Sequence, residues 1–287
     1  MRVLSLFDWI ACWYEALIRA WIKVDAYYAS EIDKYAIQIA QKNHPDIIQL
    51  WDVKNIEGGG RLSNIDLVIW GSPCQWFSRA GKMLNFNDPR SKLFFEFVRI
   101  IREVKPKYFL LENVKMKKEW QDIISRELWV EPIEINSSLV SAQSRRRLYR
   151  TNISNVSLPK DKWILLNNIK QTEHSPLISY VNWELRIRQA TKQWYIVAEE
   201  WDGVDLSYPQ SKTRRGRVIK WKSNTVTTNG EVYICDKILR ELTPIECERL
   251  QTLPDNYTEW VSDTQRYKML GNGRTVDVIA HIFKNLS

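Results

Sequence analysis

Apolar and polar positions alternate along the first half of the chain in short blocks. β-rich runs at 3–7, 24–30, 47–50, 67–69, 108–111 and 131–135 are separated by amphipathic stretches such as 33–42 and 91–104. Short apolar blocks suit strands buried on both faces, and amphipathic stretches between them suit crossover helices. The alternation predicts βαβ units and an α/β fold with a doubly wound, Rossmann-like sheet over residues 1–155. After Leu158 the pattern becomes irregular and polar with short β-rich runs, which predicts a smaller lobe over 156–236. Helical signals return at Thr243-Pro244-Ile245-Glu246, which combines an N-cap, a first-turn proline and a capping-box glutamate, and again over Val276–Phe283. Residues 237–287 are therefore expected to return to the first lobe.

Charge and cysteine usage narrow the picture. The chain of 287 residues carries 42 Lys and Arg against 34 Asp and Glu, a net charge of +8, which suits a polyanionic partner. The cations cluster at Lys115, Lys117 and Lys118, at Arg145, Arg146 and Arg147, and at Lys212, Arg214, Arg215, Arg217, Lys220 and Lys222. Solvated surface runs have the same appearance. Cys12, Cys74, Cys235 and Cys247 show neither metal-ligand nor disulfide spacing, so no metal is expected and a reducing compartment fits best. With no apolar run near the ~18 residues of a membrane span, the expectation is a soluble cytoplasmic protein without a membrane partner.

Candidate chemistry gathers where the predicted strands end. Gly71-Ser72-Pro73-Cys74-Gln75 follows the run ending at Ile69, so Cys74 is expected on a strand-end loop, where open α/β sheets place their reactive groups. Phe7 and Asp8 close the first strand, Glu31 follows the second, and Asp52 follows the third. Carboxylates in that order suit the ribose hydroxyls and the amino group of an adenosine cofactor. Glu112, opening Glu112-Asn113-Val114 after the fifth strand, is expected at the same edge as Cys74, where a partly desolvated carboxyl can donate a proton. Gln143-Ser144-Arg145-Arg146-Arg147 spaces two guanidiniums to share a face if extended.

Taken together, these motifs resemble the cytosine-C5 DNA methyltransferases, most closely in layout the de novo-type catalytic domains and compact bacterial or phage enzymes. The matching series also includes Arg240-Glu241-Leu242-Thr243, Arg249-Leu250-Gln251 and Gly271-Asn272-Gly273, so it runs nearly the whole chain in family order. The resemblance implies a DNA (cytosine-5-)-methyltransferase that moves a methyl group from S-adenosylmethionine to C5 of a cytosine flipped out of double-stranded DNA, in a prokaryotic or phage-infected cell. It implies Cys74 as nucleophile at C6, Glu112 at N3, Arg147 at O2 and Arg145 in support. It implies a cofactor site built from Phe7, Asp8, Ile10, Glu31, Ile32, Asp52, Val53, Gly71, Pro73, Leu93, Asn272 and Thr275, and a target-recognition region at 156–236 that includes Thr225-Val226-Thr227-Thr228. Target sequence, a restriction partner and oligomeric state stay open. Two alternatives remain: a tRNA cytosine-C5 methyltransferase, whose typical Cys-Phe-Thr is absent here, and an inactive DNA-binding or regulatory homologue, against which the retained Cys74, Glu112 and Arg147 argue.

The departures from the family run in two directions. Fourteen Trp stand against ten Gly, where average glycine usage would give about twenty. Trp9, Trp13, Trp51 and Trp70 occupy family glycine positions, and Trp21 and Trp129 stand where a helix would close on glycine. Conversely, Arg150 and Arg274 stand where relatives carry Trp. The paired pattern points to decoding, with UGA read as glycine and some arginine codons as tryptophan in the source cell. As printed, the chain is expected to fold and to bind cofactor poorly.

Overall fold

The computed structural model describes residues 1–71, 92–171, 185–188, 195–206, 217–228, 232–236 and 238–286. Two compact units emerge. The first comprises Met1–Ile135, Arg146–Leu158 and Val276–Ser287, the second Asn136–Arg145 and Pro159–Thr275.

Seven strands form the sheet of the first unit: β1 (Arg2–Leu6), β2 (Ala26–Ser30), β3 (Ile48–Gln49), β4 (Leu67–Gly71), β5 (Tyr108–Asn113), β6 (Ile133–Asn136) and β7 (Arg146–Thr151). Their order is β3-β2-β1-β4-β5-β7-β6. The pairs β1–β2, β2–β3, β1–β4 and β4–β5 are parallel, and β5–β7 is antiparallel. Between the strands lie α1 (Cys12–Arg19), α2 (Lys34–Asn43), α3 (Lys92–Val104) and α4 (Lys118–Leu128). Every residue of β4 is buried, as its unbroken apolar sequence requires. Leu4, Leu6, Val68, Trp70 and Leu111 pack with Phe94, Phe97 and Val98 of α3, which forms one core layer. The chain reverses its winding between β1 and β4, so a crevice opens beyond their carboxyl ends.

All six predicted apolar runs overlap a strand. The seventh strand, Arg-Arg-Leu-Tyr-Arg-Thr, was not expected as such, because half of it is charged; it is held by pairing antiparallel to β5.

The second unit contains α5 (Leu166–Ile169), β8 (Leu185–Arg188), β9 (Tyr195–Ala198), β10 (Gly203–Asp205), β11 (Val218–Ile219), β12 (Val232–Asp236), β13 (Ile238–Glu241), α6 (Pro244–Leu250) and α7 (Asp263–Asn272). Four strands make an antiparallel sheet ordered β11-β10-β12-β13, and β8 pairs antiparallel with β9. The capping box at the start of α6 is formed, with Thr243 Oγ1 accepting from the Glu246 N–H at 3.2 Å and Glu246 Oε2 accepting from the Thr243 N–H at 2.9 Å. Gly271 of α7 lies against the Thr227–Thr228 backbone so closely that a Cβ would meet it at 2.4 Å.

The expected boundary at 237 differs from the compact units. The β12–β13 hairpin carries the chain directly into α6, and α6 packs on α5 and α7, so residues up to Thr275 cluster with the second unit. Only α8 (Val276–Phe283) and the residues after it join the first unit, where α8 packs on α1 and Asp277 pairs with Arg19 at 2.8 Å.

Candidate functional site at the strand ends

The carboxyl ends of β1 to β5 bring most of the predicted residues to one edge of the first unit. Side chains there are fixed by bonds between neighbouring strand ends. The Asp8 N–H donates to Ser30 O at 3.2 Å, Ser30 Oγ donates to Trp51 O at 2.7 Å, and Gln49 Nε2 donates to Glu31 O at 2.7 Å. Ser30 and Gln49 also build the site, and their only signal in the sequence is their place at strand ends.

Glu31 is the anchor of this edge. It is buried, with Oε2 accepting the Trp9 N–H at 3.0 Å and Oε1 accepting the N–H groups of Ile32 at 2.8 Å and Asp33 at 2.9 Å. Three of roughly four acceptor positions on the carboxylate are thus taken by backbone, which leaves one for a hydroxyl rather than two. Asp52 is half-buried and accepts from the Lys54 N–H at 3.0 Å. The turn after β1 winds through three left-handed residues, Phe7 (φ 56°), Trp9 (φ 63°) and Ala11 (φ 58°), which hold it in a tight coil. Phe7 is half-buried with its ring 6.0 Å from that of Trp70.

Other predicted cofactor residues occupy different surroundings. Asp8 is wholly buried and accepts from the Tyr27 hydroxyl at 2.5 Å. Ile10 and Val53 are buried, Ile32 is exposed, and Leu93 packs against the core. Asn272 ends α7 and Thr275 follows it in the second unit, where Thr275 Oγ1 donates to Gln251 Oε1 at 3.0 Å. Pro73 and Cys74 lie outside the described residues. A buried carboxylate fixed at β2, a half-buried one at β3 and the coiled turn after β1 fit the adenosine part of S-adenosylmethionine. Trp9 gives its backbone N–H to Glu31 in a left-handed conformation that favours glycine.

On the other side of the switch point, β4 and β5 align Gly71 with Glu112, and Glu112 faces Tyr149 of β7. Glu112 is buried and forms an ion pair with Arg147, Nε to Oε1 at 3.1 Å. Arg147 reaches it because β7 runs antiparallel beside β5. Arg145 does other work: it is buried in the second unit, and its Nη2 donates to the carbonyls of Gly273 at 2.8 Å and Gly271 at 3.3 Å. The two guanidiniums therefore have separate partners. Of the described cysteines, Cys235 and Cys247 have thiols pushed up by burial, the reverse of what a thiolate nucleophile needs. Among the described residues no His, Cys, Asp and Glu group could hold a metal, and no helix is long and apolar enough to cross a membrane.

In the basic stretch of the second unit, Arg217, Lys220 and Lys222 make internal contacts. Arg217 is buried and donates to Asp205 O at 3.3 Å, and Lys220 pairs with the buried Asp202 at 2.9 Å. Lys222 donates to the carbonyls of Ile164, Ser138 and Ser141 at 2.6, 2.9 and 3.1 Å, and burial lowers its pKa. Lys212, Arg214 and Arg215 fall outside the described residues. The threonine run is likewise tied in, with the Val226 N–H donating to Gln143 Oε1 at 3.1 Å and Thr225 Oγ1 to Ser144 O at 2.9 Å.

Comparison with known proteins places these features in a wider set. The family model for C-5 cytosine-specific DNA methylase matches residues 1–125 and 117–287. The chain is 33% identical over 294 residues to the Type II methyltransferase M1.ScrFI of Lactococcus lactis subsp. cremoris, covering 92% of this chain and 72% of that one. It is 26% identical over 332 residues to the Type II methyltransferase M.FnuDI of Fusobacterium nucleatum, covering 100% and 94%. The solved structure of the Entamoeba histolytica methyltransferase EhMeth shares the fold, with a TM-score of 0.68 at 21% identity over 100% of this chain and 99% of that one.

Proposed function

Since the chain belongs to the C-5 cytosine-specific DNA methylase family, and is on that footing a DNA cytosine-5 methyltransferase, we propose how its residues divide the work. Cys74 is the nucleophile, Glu112 and Arg147 engage the base, and the ends of β1 to β3 hold S-adenosylmethionine. The observation that carries this reading is the alignment of Glu112 with Gly71, three residues before Cys74, together with the Glu112–Arg147 pair.

Cytosine C5 is a poor nucleophile. Addition of the Cys74 thiolate to C6, with Glu112 protonating or hydrogen-bonding N3, moves electron density onto C5. Bound S-adenosylmethionine supplies a sulfonium methyl to that carbon. Loss of the C5 proton and departure of Cys74 Sγ then restore the aromatic ring. Glu112 and Arg147 lie as an ion pair at 3.1 Å. A cytosine entering between them meets both, with its O2 at the guanidinium and N3 at the carboxyl. Glu31 takes one ribose hydroxyl with its remaining acceptor position, Asp52 takes the adenine amino group, and Phe7 lies against the adenine. Because C6 is closed off inside a duplex, the base must be flipped out, at a cost of a few kcal/mol. The working partner is double-stranded DNA in a bacterial or phage-infected cytoplasm, with the second unit as the target-reading part.

Incubation of DNA and of tRNA with methyl-labelled S-adenosylmethionine tests the reading, with Cys74→Ser as control. Label should enter duplex DNA at cytosine C5 and be lost with the serine variant. Label in tRNA alone, or undiminished label with serine, would contradict it.

A further inference from the structure

Eleven of the tryptophans fall among the described residues, and eight of these have a left-handed backbone: Trp9 (φ 63°), Trp21 (60°), Trp51 (64°), Trp129 (58°), Trp163 (55°), Trp201 (72°), Trp221 (57°) and Trp260 (84°). Residues other than glycine adopt positive φ only a few per cent of the time, with Asn and Asp favoured and bulky side chains disfavoured. Here tryptophan outnumbers asparagine eight to three in that region.

Local bonding shows what these positions do. The Trp21 N–H donates to Ile18 O and the Ile22 N–H to Leu17 O, both at 3.0 Å, the paired bonds that close a helix around a left-handed glycine. At the end of α4 the Trp129 N–H donates to Ser125 O, and the Val130 N–H donates to the same carbonyl at 3.3 Å. Trp21 is 92% and Trp129 90% exposed, so no burial offsets the strained backbone, although tryptophan is on average a highly buried residue. Trp51, Trp163, Trp221 and Trp260 are exposed too.

Arg150 shows the reverse anomaly. It is wholly buried on β7 opposite Leu111, and forms no ion pair among the described residues. Its Nε reaches Ser125 Oγ at 3.2 Å and its Nη2 reaches Gln121 O at 3.1 Å, while Nη1 has no partner. Burial pushes this guanidinium down to about 10. A flat aromatic side chain with a single N–H would fill the same space and leave no polar atom stranded.

We infer that the working protein carries glycine at positions 9, 21, 51, 129, 163, 201, 221 and 260 and tryptophan at 150, the corresponding triplets being read that way where the chain is made. The family resemblance singles out positions 9, 13, 51 and 70, and the expected helix ends single out 21 and 129. The backbone adds 163, 201, 221 and 260. It does not assign Trp13 and Trp70, which sit inside α1 and β4 with ordinary dihedrals. Only position 9 also touches the cofactor reading, since its N–H donates to Glu31.

Full-length chains in the printed form and with all eight Trp→Gly changes separate the possibilities by urea unfolding, a readout independent of methyl transfer. Each change should raise the folding constant about tenfold, the cost of a left-handed L-residue, whereas Trp120→Gly inside α4 should lower it. If the printed chain does not fold, a circular dichroism spectrum of folded protein from the eightfold variant is the same supporting result. An eightfold variant no better folded than the printed chain, or an equal gain from Trp120→Gly, overturns the inference. So does peptide mass spectrometry of the protein from its source cells if it finds tryptophan at 21 and 129, where glycine is expected.

Discussion

Behind the strand ends of the first unit the core is mainly apolar, and Glu112 and Arg147 pair at its edge. Inside the second unit Glu246, Glu248 and Asp202 have no exposure at all, and each is held by cations or backbone donors. Arg240 grips both oxygens of Glu246 at 2.8 Å, and Glu248 accepts from the N–H groups of Asn256 at 2.7 Å and Thr258 at 2.8 Å and from Arg266 at 3.0 Å. In the first unit the charges gather at the strand ends, where the proposed chemistry lies. In the second unit these buried charges are structural, so substitutions at them should register in stability before activity.

Glu112→Gln puts that contrast to its strongest test. It should lower methyl transfer by about a hundredfold to ten-thousandfold, the span of general acid–base catalysis, with a stability loss smaller than that of Glu246→Ala because the amide keeps an acceptor for Arg147. A large stability loss with residual activity intact would place Glu112 with the structural charges instead.

Glu246→Ala should have the next largest effect, destabilising by about 3–5 kcal/mol in urea unfolding because Arg240 is left buried without its partner. Burial alone would raise the Glu246 carboxyl, but Arg240 and the N–H groups of Thr243 and Gln171 hold it below its ordinary 4.5. The charged form therefore favours folding above that value, and the contribution is lost as pH falls through the lower folded value. Unfolding midpoints should drop on acidification below about pH 4.5, less steeply in Glu246→Gln.

Trp21→Gly and Trp129→Gly should each stabilise by about 1–2 kcal/mol, read from the same unfolding curves. Thr243→Ala, which breaks the capping box of α6, should cost about 1 kcal/mol and leave the first unit's activity per folded molecule unchanged.

How much of this could be read from residues alone follows the same division. β4 and β5 announced themselves because buried parallel strands are continuous apolar runs, and the edge carrying Glu112 and Gly71 followed from their ends. β7 did not, because its charged sequence becomes a strand only through pairing with β5; the partner of Glu112 is known only once that pairing is. Glu31 was legible as a strand-end acid, but not the three N–H groups that occupy it. In the second unit the basic stretch reads as a polyanion-binding face, yet Arg217, Lys220 and Lys222 are consumed by internal acceptors, since no periodicity marks which cations turn inward. The excess of tryptophan over glycine was visible in composition, but at 163, 201, 221 and 260 only backbone geometry reveals what the chain requires.

The central claim is that a thiol adds to the pyrimidine ring, and duplex DNA carrying 5-fluorocytosine tests it directly. Fluorine cannot leave as a proton does, so with S-adenosylmethionine present the covalent adduct should persist. Digestion and mass spectrometry of the glycine-bearing chain should find the DNA joined to the peptide containing Cys74. Methylated DNA without any such adduct, or an adduct at another residue, would contradict the account.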